Sequence, residues 1–152
     1  MSEHDRLRGA GEYAHWQIDN YIGGVLIGSD SDATGTVTNC TSPTSWFDVS
    51  GFTLAAFTPK YDCRVFFTGY VVAWNGTGSE ANIYATVRNG STEVLPINSL
   101  VSLPTAYFGT LPLCGSCDLT ANTTYTFKVS VKSSVNGNVT TYGQLTGFVL
   151  PR

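Results

Sequence analysis

Charge is what this 152-residue sequence has least of. Only 12% of its residues are Asp, Glu, Lys or Arg, about half the share of an ordinary soluble domain. Eight bases against eleven acids leave no basic footprint, which excludes a nucleic-acid binder that works by neutralising phosphates. No stretch approaches the roughly 18 consecutive apolar residues of a membrane-spanning helix. A helical pattern is missing too: no window carries apolar residues at three-and-four spacing without a Gly, a Pro or a β-branched run breaking it. Disorder of the whole chain is excluded because 42% of the residues are hydrophobic and the net charge is only −3. The opening run Met1–Arg8 lacks the apolar core of a signal peptide, so the expectation is synthesis in a host cytoplasm.

Catalytic signatures are equally scarce. There is no Gly-x-Ser-x-Gly elbow, and both histidines, His4 and His15, precede the patterned part of the chain. Gly23-Gly24 has neither the spacing nor the Lys of a phosphate loop. Asp48, beside Trp46 and Phe47, reads as a strand-end aspartate that makes turn hydrogen bonds. No catalytic residue, cofactor site or metal site is assigned, and the chain reads as non-enzymatic.

What is present is alternation. Tyr125, Phe127, Val129 and Val131 interleave with Thr126, Lys128, Ser130 and Lys132, and Ile83, Ala85 and Val87 interleave with Tyr84, Thr86 and Arg88. Period two marks strands with one buried and one wet face. Cys63–Trp74 is apolar on both faces and predicts a central strand. Asn75-Gly76, Asn89-Gly90 and Asn136-Gly137 supply the residue pair that tight hairpins favour. Tyr70, Trp74, Tyr125 and Phe148 fit alternating positions and are expected in the core. About eight strands in about 120 residues imply an all-β, two-sheet antiparallel jelly-roll sandwich, placed at residues 41–152.

Residues 1–40 read as an irregular N-terminal arm. Residues 1–32 hold six acids against two arginines, whereas the remainder holds five acids against six bases. Tyr13, Trp16, Ile18 and Tyr21 have no period-two partners, and large aromatics outside a core bury themselves against some surface. They are expected to anchor the arm on a neighbouring subunit or another protein. A neutral Thr- and Ser-rich sandwich also has sheet edges and faces that few charges protect, which points to an oligomer.

Four cysteines complete the inventory. Cys114-Gly115-Ser116-Cys117 lies between strands rather than ahead of a helix, so it lacks the feature that makes such a pair a redox centre. Adding Cys40 and Cys63 does not give the two short knuckles of a zinc site. Structural thiols or disulfides remain, with Cys114–Cys117 bridging a loop and Cys40–Cys63 crossing the sandwich as the candidate pairs.

Three stretches resemble the jelly-roll domains of the tumour-necrosis-factor and complement globular-head type. Trp46–Leu54 with Phe67-Thr-Gly-Tyr-Val-Val resembles the family's entry and central Gly-Tyr strand. Ile83–Ser91 resembles its next long strand and Asn-Gly turn, and Leu119–Val129 with Leu145–Pro151 resembles its last two strands. The likeness covers residues 45–152. It implies a homotrimer with both chain ends near one end of the sandwich. Forms without a signal peptide are similar to bacteriophage capsid decoration and fibre-head proteins. The arm is too short for a fibre shaft, so the resemblance implies a virion structural protein that decorates a capsid, with itself and the major capsid protein or another virion protein as partners. No nucleic acid or membrane is expected as a partner. The alternative is a receptor- or glycan-binding head of a phage fibre, with Tyr107, Phe108 and Tyr142 in its binding loops.

Overall fold

The computed structural model describes residues 25–95 and 99–151. It contains nine strands: β1 (Val25–Cys40), β2 (Phe47–Thr53), β3 (Cys63–Gly76), β4 (Ala81–Asn89), β5 (Thr92–Glu93), β6 (Ser99–Leu103), β7 (Phe108–Leu119), β8 (Phe127–Ser133) and β9 (Gly137–Pro151). No helix occurs among the described residues. The first sheet has the order β1-β9-β3-β7; the second has β2-β8-β4, with β5 and β6 both pairing β4. Every neighbouring pair is antiparallel. Apart from the steps through β5 to β6, each connection crosses from one sheet to the other, which is the route of a jelly roll.

β3 is the spine. It pairs β9 from Cys63↔Pro151 to Gly76↔Asn138, and β7 from Cys63↔Leu119 to Trp74↔Phe108. Its inward side chains Val65, Phe67, Val71 and Ala73 are buried and face Val129 and Val131 of β8 and Ile83 and Val87 of β4 in a single core. The Phe67 and Phe127 rings meet edge-to-face across the sandwich at 4.8 Å and 69°, a geometry worth about 0.5–1.5 kcal/mol beyond the area it buries. Gly143 makes room for this layer: a Cβ there would fall on the Tyr70 carbonyl oxygen and reach the Phe52 ring at 3.2 Å.

Three expectations need correction. The sheet begins at Val25, not at residue 41, because Val25–Cys40 pairs along β9. Its Gly, Ser and Asp residues, and register shifts between Leu26 and Gly28 and between Asp32 and Thr36, hide the alternation that marks other strands. Tyr70, Trp74 and Phe148 point out of the sandwich; Tyr70 is 45% exposed. On a strand apolar on both faces, period two separates two sets without saying which is inside. Asn75-Gly76 is not a hairpin turn but the last two residues of β3.

Asn75 is completely buried, and its amide holds two loops. The Nδ2 group donates to the Ser79 and Leu103 carbonyls at 2.8 Å each and to Pro104 at 3.2 Å. Its Oδ1 accepts from the Thr77 amide at 3.0 Å and the Thr77 hydroxyl at 2.8 Å. Its main chain is engaged as well, receiving Ala106 N–H and donating to the Tyr107 carbonyl. Removing the amide leaves buried carbonyls unsatisfied, so Asn75→Ala should cost about 2–4 kcal/mol in urea unfolding. Asn75→Asp should cost more at neutral pH, since a carboxylate would face carbonyl oxygens, and should recover partly in acid.

Candidate functional site

The two outer faces of the sandwich are chemically opposite. On the second sheet, Lys128, Ser130 and Lys132 of β8 lie opposite Arg88, Thr86 and Tyr84 of β4. Asp48 of β2 accepts from Ser130 Oγ at 2.7 Å, Lys128 Nζ at 3.2 Å and Arg88 Nη1 at 3.4 Å. The carboxylate separates two cations that the register sets directly across from each other, an arrangement otherwise destabilising. Lys132 Nζ lies 4.8 Å from the ring centroids of both Trp46 and Tyr84. The Trp46 indole N–H donates to Glu93 Oε1 at 2.5 Å. Thr86 and Ser130, although outward, are fully buried among these groups. This face is a closed polar network.

Desolvation pushes the Asp48 carboxyl up, but hydrogen bonds from Ser130 and Lys128 and the charges of Lys128 and Arg88 outweigh it and hold the group below the usual carboxylate range.

The first sheet turns apolar side chains outward. Row by row, Trp74 lies opposite Phe108 and Thr140, Val72 opposite Thr110 and Tyr142, Tyr70 opposite Pro112 and Gln144, and Phe66 opposite Ser116 and Phe148. Phe108 is 59% and Tyr107 62% exposed. The rings are seated on glycines. A Cβ at Gly76 would collide with the Trp74 ring, and one at Gly35 would come within 2.6 Å of the Tyr142 ring. Gly35 also has φ +80°, and Phe108 rests against Tyr142 at 6.4 Å between centroids. At the far end Arg64 Nε donates to Asp118 Oδ1 at 2.7 Å beside Leu150. Both partners of that ion pair are more than a third exposed, so it contributes little.

Of the residues expected to bind, Phe108 and Tyr142 are brought together and Tyr107 adjoins Phe108, all at one end of this face. Tyr13, Trp16, Ile18 and Tyr21 lie outside the described residues, as do His4 and His15. The sequence-level reading missed the face itself, in particular Phe66, Tyr70, Trp74 and Phe148. The signal was there in the doubly apolar Cys63–Trp74 run, which marks a strand whose second face needs cover as well.

The cysteines do not converge. All four are free thiols. Cys114 and Cys117 sit three residues apart on one strand and so face opposite sides; Cys114 is outward and exposed, whereas Cys117 is inward. Cys40 pairs with Gly137 at one end of the sandwich, and Cys63 pairs with Pro151 at the other. Neither expected pairing is made. Burial pushes the Cys40 thiol up to about 11, and burial with the neighbouring Asp118 charge pushes Cys117 up to about 11. Neither is a thiolate at neutral pH. Among the described residues, no group of three His, Cys, Asp or Glu side chains converges on one point.

The comparisons with known proteins fit this geometry. A chain from the infectious bursal disease virus Gt strain superposes at a TM-score of 0.51 with 12% identity, covering 85% of this chain and 33% of that one. The fold is a jelly roll. The Eiger TNF of S. frugiperda is similar at a TM-score of 0.47 and 6% identity, over 84% of this chain and 92% of that one. The tripod protein BppUct-A-L from the baseplate of bacteriophage Tuc2009 is similar at 0.45 and 15%, over 77% and 64%. No known protein-family profile matches the sequence, and neither does any curated protein. The chain thus spans a third of the virus chain it superposes on, and likeness at these identities speaks for the fold alone.

Two outcomes follow from the side-chain environments. A thiol reagent such as DTNB should label one cysteine per folded chain quickly, Cys114, and the other three only on unfolding. Because the Asp48 pKa is lowered in the folded state, its contribution to stability is present above the unfolded carboxylate value, near 3.9, and is lost as pH falls below it. Asp48→Asn should therefore lower the urea midpoint at pH 7, by no more than about 1 kcal/mol for so exposed a group, and the difference from wild type should shrink by pH 2–3.

Proposed function

We propose that this protein is a non-enzymatic structural component of a virus particle that associates with copies of itself through the outward face of its first sheet. The observation that carries the reading is the contrast between the two outer faces. One satisfies its polar groups internally; the other leaves Tyr70, Val72, Trp74, Phe108 and Tyr142 in one apolar field. A contiguous exposed patch of this kind is the mark of an interaction surface. Sparse charge elsewhere gives little other means of keeping such a face out of unwanted contacts, and a closed oligomer buries it on every copy.

Three is the number of copies that the resemblance to tumour-necrosis-factor and complement heads implies, and decoration of a bacteriophage capsid is the role it favours. The jelly roll is a fold found in virus particles, and its use there supports that assignment as an analogy of fold. Location in the virion follows from the same reading.

Sedimentation equilibrium of the full chain should give a mass near three times 16.3 kDa. Tyr70→Glu with Phe108→Glu should give a folded monomer, since both side chains are largely exposed. A wild-type chain that stays monomeric at high micromolar concentration overturns the assembly reading. Particles purified from cells that carry the gene should contain the chain at structural stoichiometry, and its absence from them overturns the virion reading.

The receptor- or glycan-binding head is supported by the contact of Phe108 with Tyr142 beside exposed Tyr107. Sugar binding by the intact oligomer, abolished by Phe108→Ala and Tyr142→Ala, would favour it.

A further inference from the structure

Away from Trp74, the outward face of the first sheet ends in a separate apolar strip. Phe66 of β3 and Phe148 of β9 are directly opposite each other, and Leu150 follows on β9. Each is 37–39% exposed, although large apolar side chains in antiparallel sheets gain most when covered. Below the strip stands the Arg64–Asp118 ion pair, and above it Thr68 lies opposite Thr146 and Cys114. The strip is thus bounded by polar side chains at both ends.

The described chain enters the fold at this same place. Val25 pairs with Val149, and Leu26 pairs with Phe148. Neighbouring strands are about 4.8 Å apart, so Phe148 lies about 5 Å and Phe66 about 10 Å from the line of β1. Twenty-four residues precede Val25, and they include Tyr13, Trp16, Ile18 and Tyr21. At about 3.3 Å per extended residue, Tyr21 reaches some 13 Å from Val25 and Trp16 about 30 Å. The strip is within range of both, and attachment to the same chain gives these side chains a high effective concentration over it.

We infer that residues 13–21 fold back over the Phe66–Phe148–Leu150 strip of their own chain. Trp16, Ile18 and Tyr21 are the apolar groups that cover it, and the acidic positions between and before them, Glu12 and Asp19, stay at its rim near Arg64. The apolar leader and the apolar strip then satisfy each other within one molecule. The upper rows from Tyr70 to Trp74 are left for other copies, so this inference stands apart from the assembly reading.

Hydrogen exchange of the full chain, followed by mass spectrometry, tests it. Peptides spanning residues 13–21 should exchange at least tenfold more slowly than an unstructured peptide of that sequence, at all protein concentrations. Phe66→Ser with Phe148→Ser should abolish that protection. Trp16→Ser with Tyr21→Ser lies outside the sandwich and avoids unfolding it; this pair should also abolish protection and raise the fluorescence of the apolar-surface dye ANS several-fold. Sedimentation of the leader variant should match wild type. Exchange of residues 13–21 at the free-peptide rate would overturn the inference. So would protection that survives both pairs of substitutions, or protection that grows with concentration and thereby places the leader on a second copy.

Discussion

The whole molecule depends on a central strand that is apolar on both faces. β3 is hydrogen-bonded along its length to β9 and β7, so its backbone demands are met within the sheet and its side chains alone decide what lies above and below. The inner set, Val65, Phe67, Val71 and Ala73, closes the sandwich. The outer set, Phe66, Tyr70, Val72 and Trp74, is a second apolar layer on the same strand. A domain that needed only one core would have placed Thr or Lys there, as β8 does with Lys128, Ser130 and Lys132 on the other sheet. Paying for a second layer makes sense only if something is to be laid against it.

The edges show that the apolar face is not a product of general carelessness about exposed sheet. β7 is an outer strand of the first sheet, and long edge strands invite unwanted pairing. It carries Pro112, which has no N–H to offer, and the Pro112 carbonyl already accepts the Ser99 hydroxyl. β1, the other edge, is interrupted by two register shifts, a device that twists an edge away from a flat partner. Edge-on association is therefore blocked on both sides while the face stays open. That combination favours stacking of side chains over extension of the sheet, which suits a closed assembly and opposes a fibril.

Much of the fold could be read from residue order because period two is a local signal. Ile83–Arg88 and Phe127–Lys132 alternate so regularly that only a half-buried strand satisfies them, and both are found as such. The central place of Cys63–Trp74 was legible for the same reason. What local pattern cannot carry is the sign of a face. Tyr70 and Phe67 are equally apolar to a periodicity argument, and only the position of the second sheet makes one core and the other surface. The same limit hid β1. Its Gly, Ser and Asp residues have little strand preference of their own, and β9 supplies the pairing from more than a hundred residues away. Asn75 was misread for a related reason: Asn-Gly favours a tight turn locally, but here the buried amide serves carbonyls of Ser79, Leu103 and Pro104.

The candidate site was half legible. Phe108 and Tyr142 were singled out as loop aromatics, and they do meet, but as members of a sheet face and not of loops. This difference changes the chemistry they can do. Aromatics on a loop can close around a small ligand. Rings laid flat on Gly35 and Gly76 are fixed from beneath and present a broad, preorganised surface, which loses little conformational entropy when another surface meets it. Glycine at those two positions is explained by that need, since any side chain would lift the ring and break the plane. The geometry is thus better matched to a large, flat partner than to a buried small molecule, and another copy of the same face is the partner whose shape and apolar character the molecule itself guarantees.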